Sequence, residues 1–503
     1  MDPFDTIAAV STAPGEGGIG IMRISGPGAL DVGKSLFTPK TTVEIKPRRL
    51  YYGRIKGLSG DDIDAGCMVW MKAPHSYTGE DIIELHCHGG TLVLKKVLEA
   101  VLGAGARSAE PGEFSKRAFL NGKLDLNQAE AVCDIIRAKT DAALTAARGR
   151  LEGLFSKKIN AVKETIAELL SRVEAELDFP EEGDGPFLLK ELMEGLDRAR
   201  GGIEKLLLTY GEGRMLREGV KVAILGKPNA GKSSLLNVLL KEERAIVTPL
   251  PGTTRDVIEE AVSIKGMPVR LMDTAGLRDT GGDPVESIGV ERARLGARDA
   301  GVWLFVVDSS AKDFSDDLEL LDSLLKAGQP TGLAGQPAVL DGHEPEGCKK
   351  IIVVANKTDL LKTPAAAISE EKIKTFFSPY PVVLISALKE DGIEALEERI
   401  YEEACGRSGQ PAGLDGQLGG LAGAGNSVEP HPGELVASVR EKDSLDKALE
   451  GIGRALSALK EGLPKEFTAA DLRWSLDRLG EITGTVTTED ILDRIFSRFC
   501  IGK

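Results

Sequence analysis

Residues 221–233 read Lys-Val-Ala-Ile-Leu-Gly-Lys-Pro-Asn-Ala-Gly-Lys-Ser. An apolar run, Val222 to Leu225, enters a turn containing Gly226 and Gly231, and Leu235, Leu236 and Leu239 then recur at helical spacing. Strand, glycine-rich turn and helix in that order are the context in which a phosphate-binding loop operates. The glycines let backbone N–H groups converge on phosphate oxygens, and the helix N-terminus adds partial positive charge. Lys232 is placed to reach the β- and γ-phosphates, and the Ser233 hydroxyl to bind Mg²⁺.

Four further segments follow. Gly252-Thr253-Thr254-Arg255-Asp256 forms a polar loop after Ile246-Val247, where a threonine hydroxyl, Thr254 being the candidate, completes a Mg²⁺ shell. Asp273-Thr274-Ala275-Gly276 follows the apolar run Val269–Met272, so Asp273 would hold Mg²⁺ through water and the Gly276 N–H would touch the γ-phosphate. Asn356-Lys357-Thr358-Asp359 follows Ile351–Ala355, and its aspartate can accept both N–H groups on one edge of guanine, which adenine does not present. Ser386-Ala387-Leu388 follows Val382–Ile385 and would back the base with a main-chain N–H. Each motif alone is weak, but five in order, each after a strand, select GTP over ATP.

One position departs from the Ras-like pattern. The place just after Asp-x-x-Gly, where such proteins carry a water-orienting glutamine, holds Leu277. An apolar side chain cannot orient water, so Asp279, Asp283 and Glu286 in the following loop are the candidates, unless that loop is merely solvated.

The rest of the chain sets limits. At 503 residues it exceeds one core, and length suggests about three domains. The formal net charge is −15, so indiscriminate coating of nucleic acid is excluded and any RNA contact must be local or shared with a partner. Cys67, Cys87, Cys133, Cys348, Cys405 and Cys500 show no C-x-x-C pair, which reads as reduced thiols in a cytoplasmic protein. His86-Cys87-His88 would place two imidazoles on one strand face, yet no second ligand pair is evident. No signal peptide and no run of about 18 apolar residues is present, so no membrane association is expected.

Residues 1–120 alternate short β-like runs (Ile19–Ile24, Tyr51–Ile55, Cys67–Met71, Asp81–His86) with glycine turns, then a helix over Thr91–Leu102, predicting an α+β domain. Residues 121–217 predict helices, with Ala129, Val132, Ile135 and Ile136 on one face and a stripe over Ile159–Leu177, broken at the Pro/Gly-rich stretch 178–186. Residues 218–405 alternate strand and helix as a doubly wound α/β domain, with a Gly/Pro-rich insertion at 329–347. A Gly-rich linker covers 406–433. The segment 434–503 predicts helices over Glu434–Leu459, Ala469–Leu479 and Glu489–Phe499, the last begun by a Thr487/Asp490 capping box. These are too thin for a core of their own and are expected to pack on the 121–217 helices. The fold class expected is therefore multidomain α+β and α/β, with a Ras-like P-loop domain inserted in a helical domain of two sequence halves.

The phosphate loop together with Pro251-Gly-Thr-Thr-Arg-Asp256 resembles the Era/TrmE-like group of P-loop G proteins. Four more stretches narrow the resemblance to the MnmE (TrmE) family of tRNA-modification GTPases: Gly17–Gly26, Ser76-Tyr-Thr-Gly-Glu-Asp81, Gly112–Asp125 and Phe499-Cys-Ile-Gly-Lys503. The resemblance implies an N-terminal tetrahydrofolate-binding and dimerisation domain. It also implies a homodimer and a heterotetramer with the FAD-dependent protein MnmG (GidA). The implied chemistry puts an aminomethyl or carboxymethylaminomethyl group on carbon five of the wobble uridine of certain tRNAs, with 5-formyl- or methylene-tetrahydrofolate supplying the one-carbon unit.

Carried over residue by residue, the folate contacts fall on Arg23, Glu80, Lys123 and Lys503. Cations there suit glutamate-tail carboxylates and a carboxylate suits pterin donors, although each residue alone reads as a surface charge. Cys500 reads, from the residues, as a buried structural thiol in an apolar-faced helix; the resemblance makes it a functional candidate. The resemblance also implies that K⁺ stabilises charge on the phosphates, held by Asn229, Thr248, Leu250 and Thr253, and that Glu286 orients water once G domains dimerise. The expected nucleotide contacts are Asn229, Ala230, Gly231, Lys232, Ser233 and Ser234; Thr248, Pro249, Leu250, Pro251, Gly252, Thr253 and Thr254; Asp273, Thr274, Ala275 and Gly276; Asn356, Lys357, Thr358 and Asp359; and Ser386, Ala387 and Leu388. The competing reading is an Era-like switch in ribosome assembly. Such proteins usually append a basic RNA-binding module, and this chain is acidic.

Overall fold

The computed structural model describes residues 5–178, 186–242, 259–273, 300–311, 313–328, 350–362, 370–405 and 430–503. They form two compact units: Met1–Ile136, Arg148–Leu207 and Val439–Lys503 make the first, Arg137–Ala147 and Leu208–Ser438 the second.

The first unit opens with β1 (Ile7–Val10), β2 (Gly17–Ser25), α1 (Ala29–Leu36), β3 (Phe37–Pro39), β4 (Leu50–Lys56), β5 (Asp62–Met71), β6 (Ile82–Gly89), α2 (Thr91–Gly103) and β7 (Arg107–Ser108). The sheet runs β3-β4-β5-β6-β2-β1-β7, antiparallel except for the β1–β7 pair. Period-two alternation sends Met22, Ile24, Ile55, Met68, Ile83 and Leu85 toward one face, where Val32, Leu36, Val97 and Val101 of the two helices complete a buried core. The opposite face carries Arg23 directly across from Glu84. There α3 (Glu113–Leu120) seats Phe114 with Ile7, Ala9, Ala109 and Tyr77.

The helices α4 (Leu126–Arg137), α5 (Asp141–Leu151), α6 (Leu154–Asp178) and α7 (Pro186–Leu208) follow. The stripe on α6 is as expected, with Ile159, Ile166, Leu169, Leu170 and Val173 buried. On α4 the buried face is rotated from the expected one. Leu126, Ala129 and Cys133 are buried with Leu492, Phe496 and Phe499, while Ile136 is 49% exposed. Hydrophobicity alone overweights Ile136; the partner helix selects the small residues that allow close approach.

The second unit contains α8 (Tyr210–Glu218), β8 (Val220–Gly226), α9 (Lys232–Glu242), β9 (Glu259–Ile264), β10 (Met267–Asp273), β11 (Val302–Asp308), α10 (Ser315–Gly328), β12 (Lys350–Asn356), α11 (Glu370–Phe376), β13 (Val382–Leu384) and α12 (Ile393–Cys405). Its sheet runs β13-β12-β11-β8-β10-β9, parallel except for the edge strand β9. Both faces are covered, as a parallel sheet requires. Val222 and Ile224 of β8 face one core, and Ala223 and Leu225 face another built on Trp303, Phe305 and Phe377.

The chain returns to the first unit through α13 (Val439–Glu461), α14 (Lys465–Thr483) and α15 (Glu489–Phe496). Arg473 pairs with Glu174 at 2.7 Å and Lys465 with Glu176, tying α14 to α6. Three expectations need correction. The helix expected from Glu434 begins at Val439, because Pro432–Glu434 form a short 3₁₀ turn capped by His431. The helix expected over Ala469–Leu479 extends at both ends: its polar first turn is held by the Lys465–Glu176 pair, and its last turn buries Ile482. The last helix stops at Phe496; Thr488 rather than Thr487 occupies its N-cap position, without a side-chain capping hydrogen bond, and the Thr487 hydroxyl donates to the Thr488 carbonyl.

Candidate functional sites

The parallel strands β8, β10, β11 and β12 end together. Asp273 pairs in register with Ile224, and Asp308 with Asn356, so the motif-bearing loops leave one edge of the sheet. This is where ligands bind in open α/β sheets, beyond the carboxyl ends of the strands. The turn between β8 and α9 places Asn229 at φ 63° and Gly231 at φ 98°. A Cβ on Gly231 would lie 2.1 Å from Asn356 Nδ2, so only glycine fits. Lys232 Nζ donates to the carbonyls of Gly226 at 2.9 Å and Lys227 at 2.7 Å, folded onto the turn's own oxygens.

Asn356 is the hub. Its Nδ2 donates to the Ala230 carbonyl at 3.0 Å, and its Oδ1 accepts from the N–H groups of Lys357 at 2.8 Å and Ala387 at 3.0 Å. One buried amide thereby joins the phosphate turn to both base-recognition loops. Ser386 Oγ donates to Asp359 Oδ1 at 2.6 Å, orienting the carboxylate expected to face guanine. Leu388, next to Ala387, is 79% exposed. Ser233 and Ser234 are exposed at the start of α9. Sequence reasoning missed Asp308, which holds Lys357 Nζ at 2.6 Å. Burial pushes the Asp308 carboxyl up, but hydrogen bonds from Lys357 and Ser310 outweigh it and hold it below its ordinary value. Its strand-end position was the available signal.

Thr248, Pro249, Leu250, Pro251, Gly252, Thr253, Thr254, Thr274, Ala275, Gly276 and Glu286 lie outside the described residues, as do the alternatives Asp279 and Asp283, the insertion 329–347 and the linker residues 406–429. Asp273 is described as the last residue of β10.

A second constellation occupies the face of the N-terminal sheet away from α1 and α2. Arg23 Nε donates to Glu84 Oε1 at 2.9 Å, and its guanidinium lies 5.7 Å and 5.8 Å from the ring centres of Phe114 and Tyr77. Arg23 also donates to the Gly502 carbonyl at 3.4 Å, as does Ser11 at 3.2 Å. Gly502 sits at φ 95°, and a Cβ there would meet the Val10 carbonyl at 2.3 Å, so the Cys-Ile-Gly-Lys stretch docks through its glycine. Lys503 follows, held below its ordinary value by burial and then by the neighbouring Arg23. Glu84 is held low by His86 and Arg23, against burial. Glu80 accepts from Ser25 at 2.7 Å and from Arg117 at 3.2 Å. Lys123 Nζ reaches the Pro74 carbonyl at 3.1 Å, and its stem lies along Gly79. Arg23, Glu80, Lys123 and Lys503, scattered in sequence, are thus gathered around one sheet face and the 74–81 loop.

Cys500 corrects the residue-level reading of a buried helical thiol: it is exposed and lies beyond the end of α15. Its carbonyl accepts from the Gly112 N–H at 3.4 Å, which ties it to the start of α3. His86 and His88 form no metal pair. His86 turns to Glu84 at 3.3 Å and His88 to Asp64 at 2.9 Å, while burial and then Asp64 push the Cys87 thiol up to about 11. No metal-binding cluster occurs among the described residues.

Known proteins resemble the chain over nearly its whole length. The family model for the GTP-binding protein TrmE N-terminus matches residues 6–123, and that for the MnmE helical domain matches 126–500. The chain belongs to the MnmE family. Its relatives named tRNA modification GTPase MnmE include those of Clostridioides difficile, 44% identical over 99% of both chains, and Aquifex aeolicus, 45% identical over 99% of this chain and 100% of that one. The Moorella thermoacetica MnmE is 43% identical over 99% of both. The matched stretches include Arg23, Glu80, Lys123 and the residues of the phosphate turn. Among the described residues no helix is long and apolar enough to cross a membrane.

Proposed function

We propose that this chain is a potassium-activated GTPase that, with an FAD-dependent partner of the MnmG (GidA) type, modifies carbon five of the wobble uridine of certain tRNAs in the cytosol. The carrying observation is Asn356, which couples the phosphate turn to the guanine-recognition loops while Ser386 orients Asp359. GTP supplies the phosphates for the turn. Mg²⁺ would be held by Ser233, Thr254 and, through water, Asp273, and K⁺ by Asn229, Thr248, Leu250 and Thr253. Each set consists of hydroxyl, amide, carboxylate or carbonyl oxygens, which suits hard cations. Lys232, now resting on turn carbonyls, would turn to the phosphates, and Glu286 would orient the attacking water.

A tetrahydrofolate is the proposed one-carbon donor on the N-terminal face. Arg23 and Lys503 offer cations to its glutamate carboxylates, Glu80 accepts from the pterin, and Tyr77 and Phe114 provide aromatic walls beside Arg23. Lys123 borders the same loop, and the exposed thiol of Cys500 lies beside α3. Homodimerisation through this domain is supported by Leu50 and Tyr52, 60% and 56% exposed on the uncovered side of β4.

The test is GTP turnover in K⁺ against Na⁺ at equal ionic strength, with Glu286→Ala alongside. Turnover is expected to be at least about tenfold faster in K⁺ and nearly lost in the variant, with GTP binding retained. Equal rates in both salts would remove the potassium mechanism. Wobble-uridine analysis of tRNA from cells lacking the protein then separates tRNA modification from a role in ribosome assembly.

A further inference from the structure

We infer that Ser25 and Arg117 are positioning residues that hold the Glu80 carboxylate toward a heterocyclic ligand on the N-terminal sheet face; this rests on the folate reading above. Ser25 and Thr78 are fully buried. The single Ser25 hydroxyl proton goes to Glu80 Oε2 at 2.7 Å, so the 2.7 Å contact between Ser25 and Thr78 must be donated by Thr78. Thr78 Oγ1 in turn accepts the Glu80 N–H at 3.2 Å. The hydroxyls form a directed chain ending on the carboxylate, and the chain closes through the backbone of the same glutamate.

Arg117 supplies the second hold. Its Nη1 lies 3.2 Å and 3.3 Å from the two Glu80 oxygens, and the residue is only 4% exposed. Arg117 is fixed from behind by the Asp5 carbonyl at 2.9 Å and Glu113 at 3.0 Å, and Arg107 binds both Asp5 and Glu113. Within this row three carboxylates, Asp5, Glu113 and Glu80, face two guanidiniums. Asp5 and Glu113 are each gripped by both arginines. Glu80 has one arginine and stands at the end of the row, its side chain 17% exposed. Asp5 is more exposed, at 25%, but is paired twice, so the surplus negative charge falls on Glu80, the member paired with a single guanidinium. A network serving only to pin α3 to the sheet would have no need of that surplus. Holding the carboxylate beforehand spares the ligand the cost of ordering it.

The test is a double-mutant cycle on 5-formyltetrahydrofolate binding to the full chain, read by titration calorimetry with melting temperatures alongside. Ser25→Ala is expected to weaken binding about fivefold to tenfold in the wild-type background and less than about twofold in Glu80→Gln. Arg117→Lys is expected to weaken it about tenfold, with most of that loss also absent in Glu80→Gln. If Arg117→Lys does not fold, Ser25→Ala, which strands no charge, decides alone. The same loss in both backgrounds, or none in the wild type, overturns the positioning role. Absence of binding by the wild-type chain would overturn the folate reading instead.

Discussion

The two sheets gather polar side chains in opposite ways. In the second unit the parallel strands end at one edge, and each delivers a contiguous motif there, from Gly226–Ser233 to Asn356–Asp359 and Ser386–Leu388. In the first unit the antiparallel strands carry the site on a face. Its members are separated by most of the chain: the Arg23 guanidinium meets Gly502, and Lys116 meets Asp493 at 2.6 Å. A strand-end site is written as short words in the sequence; a sheet-face site is assembled by tertiary pairing. The first tolerates little change within its words, and the second depends on the docking of distant segments.

If the two sites are separate in this way, breaking one should spare the other. The largest effect is expected from Lys232→Ala: GTP turnover, read as phosphate release, should fall by about a hundredfold to a thousandfold while 5-formyltetrahydrofolate affinity stays unchanged. A parallel loss of folate binding would show that the sites are not independent.

Glu113→Gln should strike the other region. Its carboxylate is fully buried between Arg107 and Arg117, and breaking such a pairing costs about 3 kcal/mol. A lowered melting temperature for the N-terminal unit, with GDP affinity retained, is the expected result.

A smaller effect is expected from Gly502→Ala. The added Cβ would meet the Val10 carbonyl at 2.3 Å at a φ of 95°, so the Cys-Ile-Gly-Lys stretch must shift from Arg23. Folate binding should weaken severalfold, with unchanged GTP turnover in the absence of tRNA.

The smallest difference should appear in acid. Burial raises Asp5 and Glu113, but hydrogen bonds from Arg107 and Arg117 outweigh it and leave both below their ordinary values. Glu84 is also lowered, chiefly by His86. Carboxylates depressed in the folded state add stability that is complete above their unfolded values and is lost as pH falls through the folded ones. In the second unit Asp308 and Asp313 are lowered but Asp317 is raised by burial, so the contributions partly oppose. Melting followed from pH 6 downward should therefore show the first unit losing stability more steeply below its ordinary glutamate value of 4.5. Equal slopes would count against the comparison.

Legibility followed the same division. Strand, turn and helix around Gly226–Ser233 were readable because β8 is apolar on both faces and Gly231 has no substitute beside Asn356. On α4 Ala129 is buried as expected, but Cys133 takes the inward place expected of Ile136, joining the cluster with Phe496 and Phe499. The extra first turn of α14 was missed because it is polar and Lys465 there pairs with Glu176 of α6, while the extra last turn buries Ile482. Asp308 and Glu84 carried no motif of their own, and Ser25, though inside Gly17–Gly26, has its partners Thr78 and Glu80 more than fifty residues away. Arg117 lay inside a recognisable stretch, but its partners Asp5 and Glu80 are 112 and 37 residues away.

The sequence by itself determined the phosphate turn, the guanine-recognition words, the α/β alternation that carries them and the family. Each of those is carried by short contiguous stretches, where local geometry is set by backbone sterics and periodicity. Only the tertiary structure decided that Asn356 is the hub of the nucleotide site, that Cys500 is exposed, and that Ser25, Glu80 and Arg117 meet on one sheet face beside Arg23 and Gly502. Those facts depend on long-range register and packing. A side chain's partners across a sheet are fixed by which strands pair, and no short window of sequence contains that information.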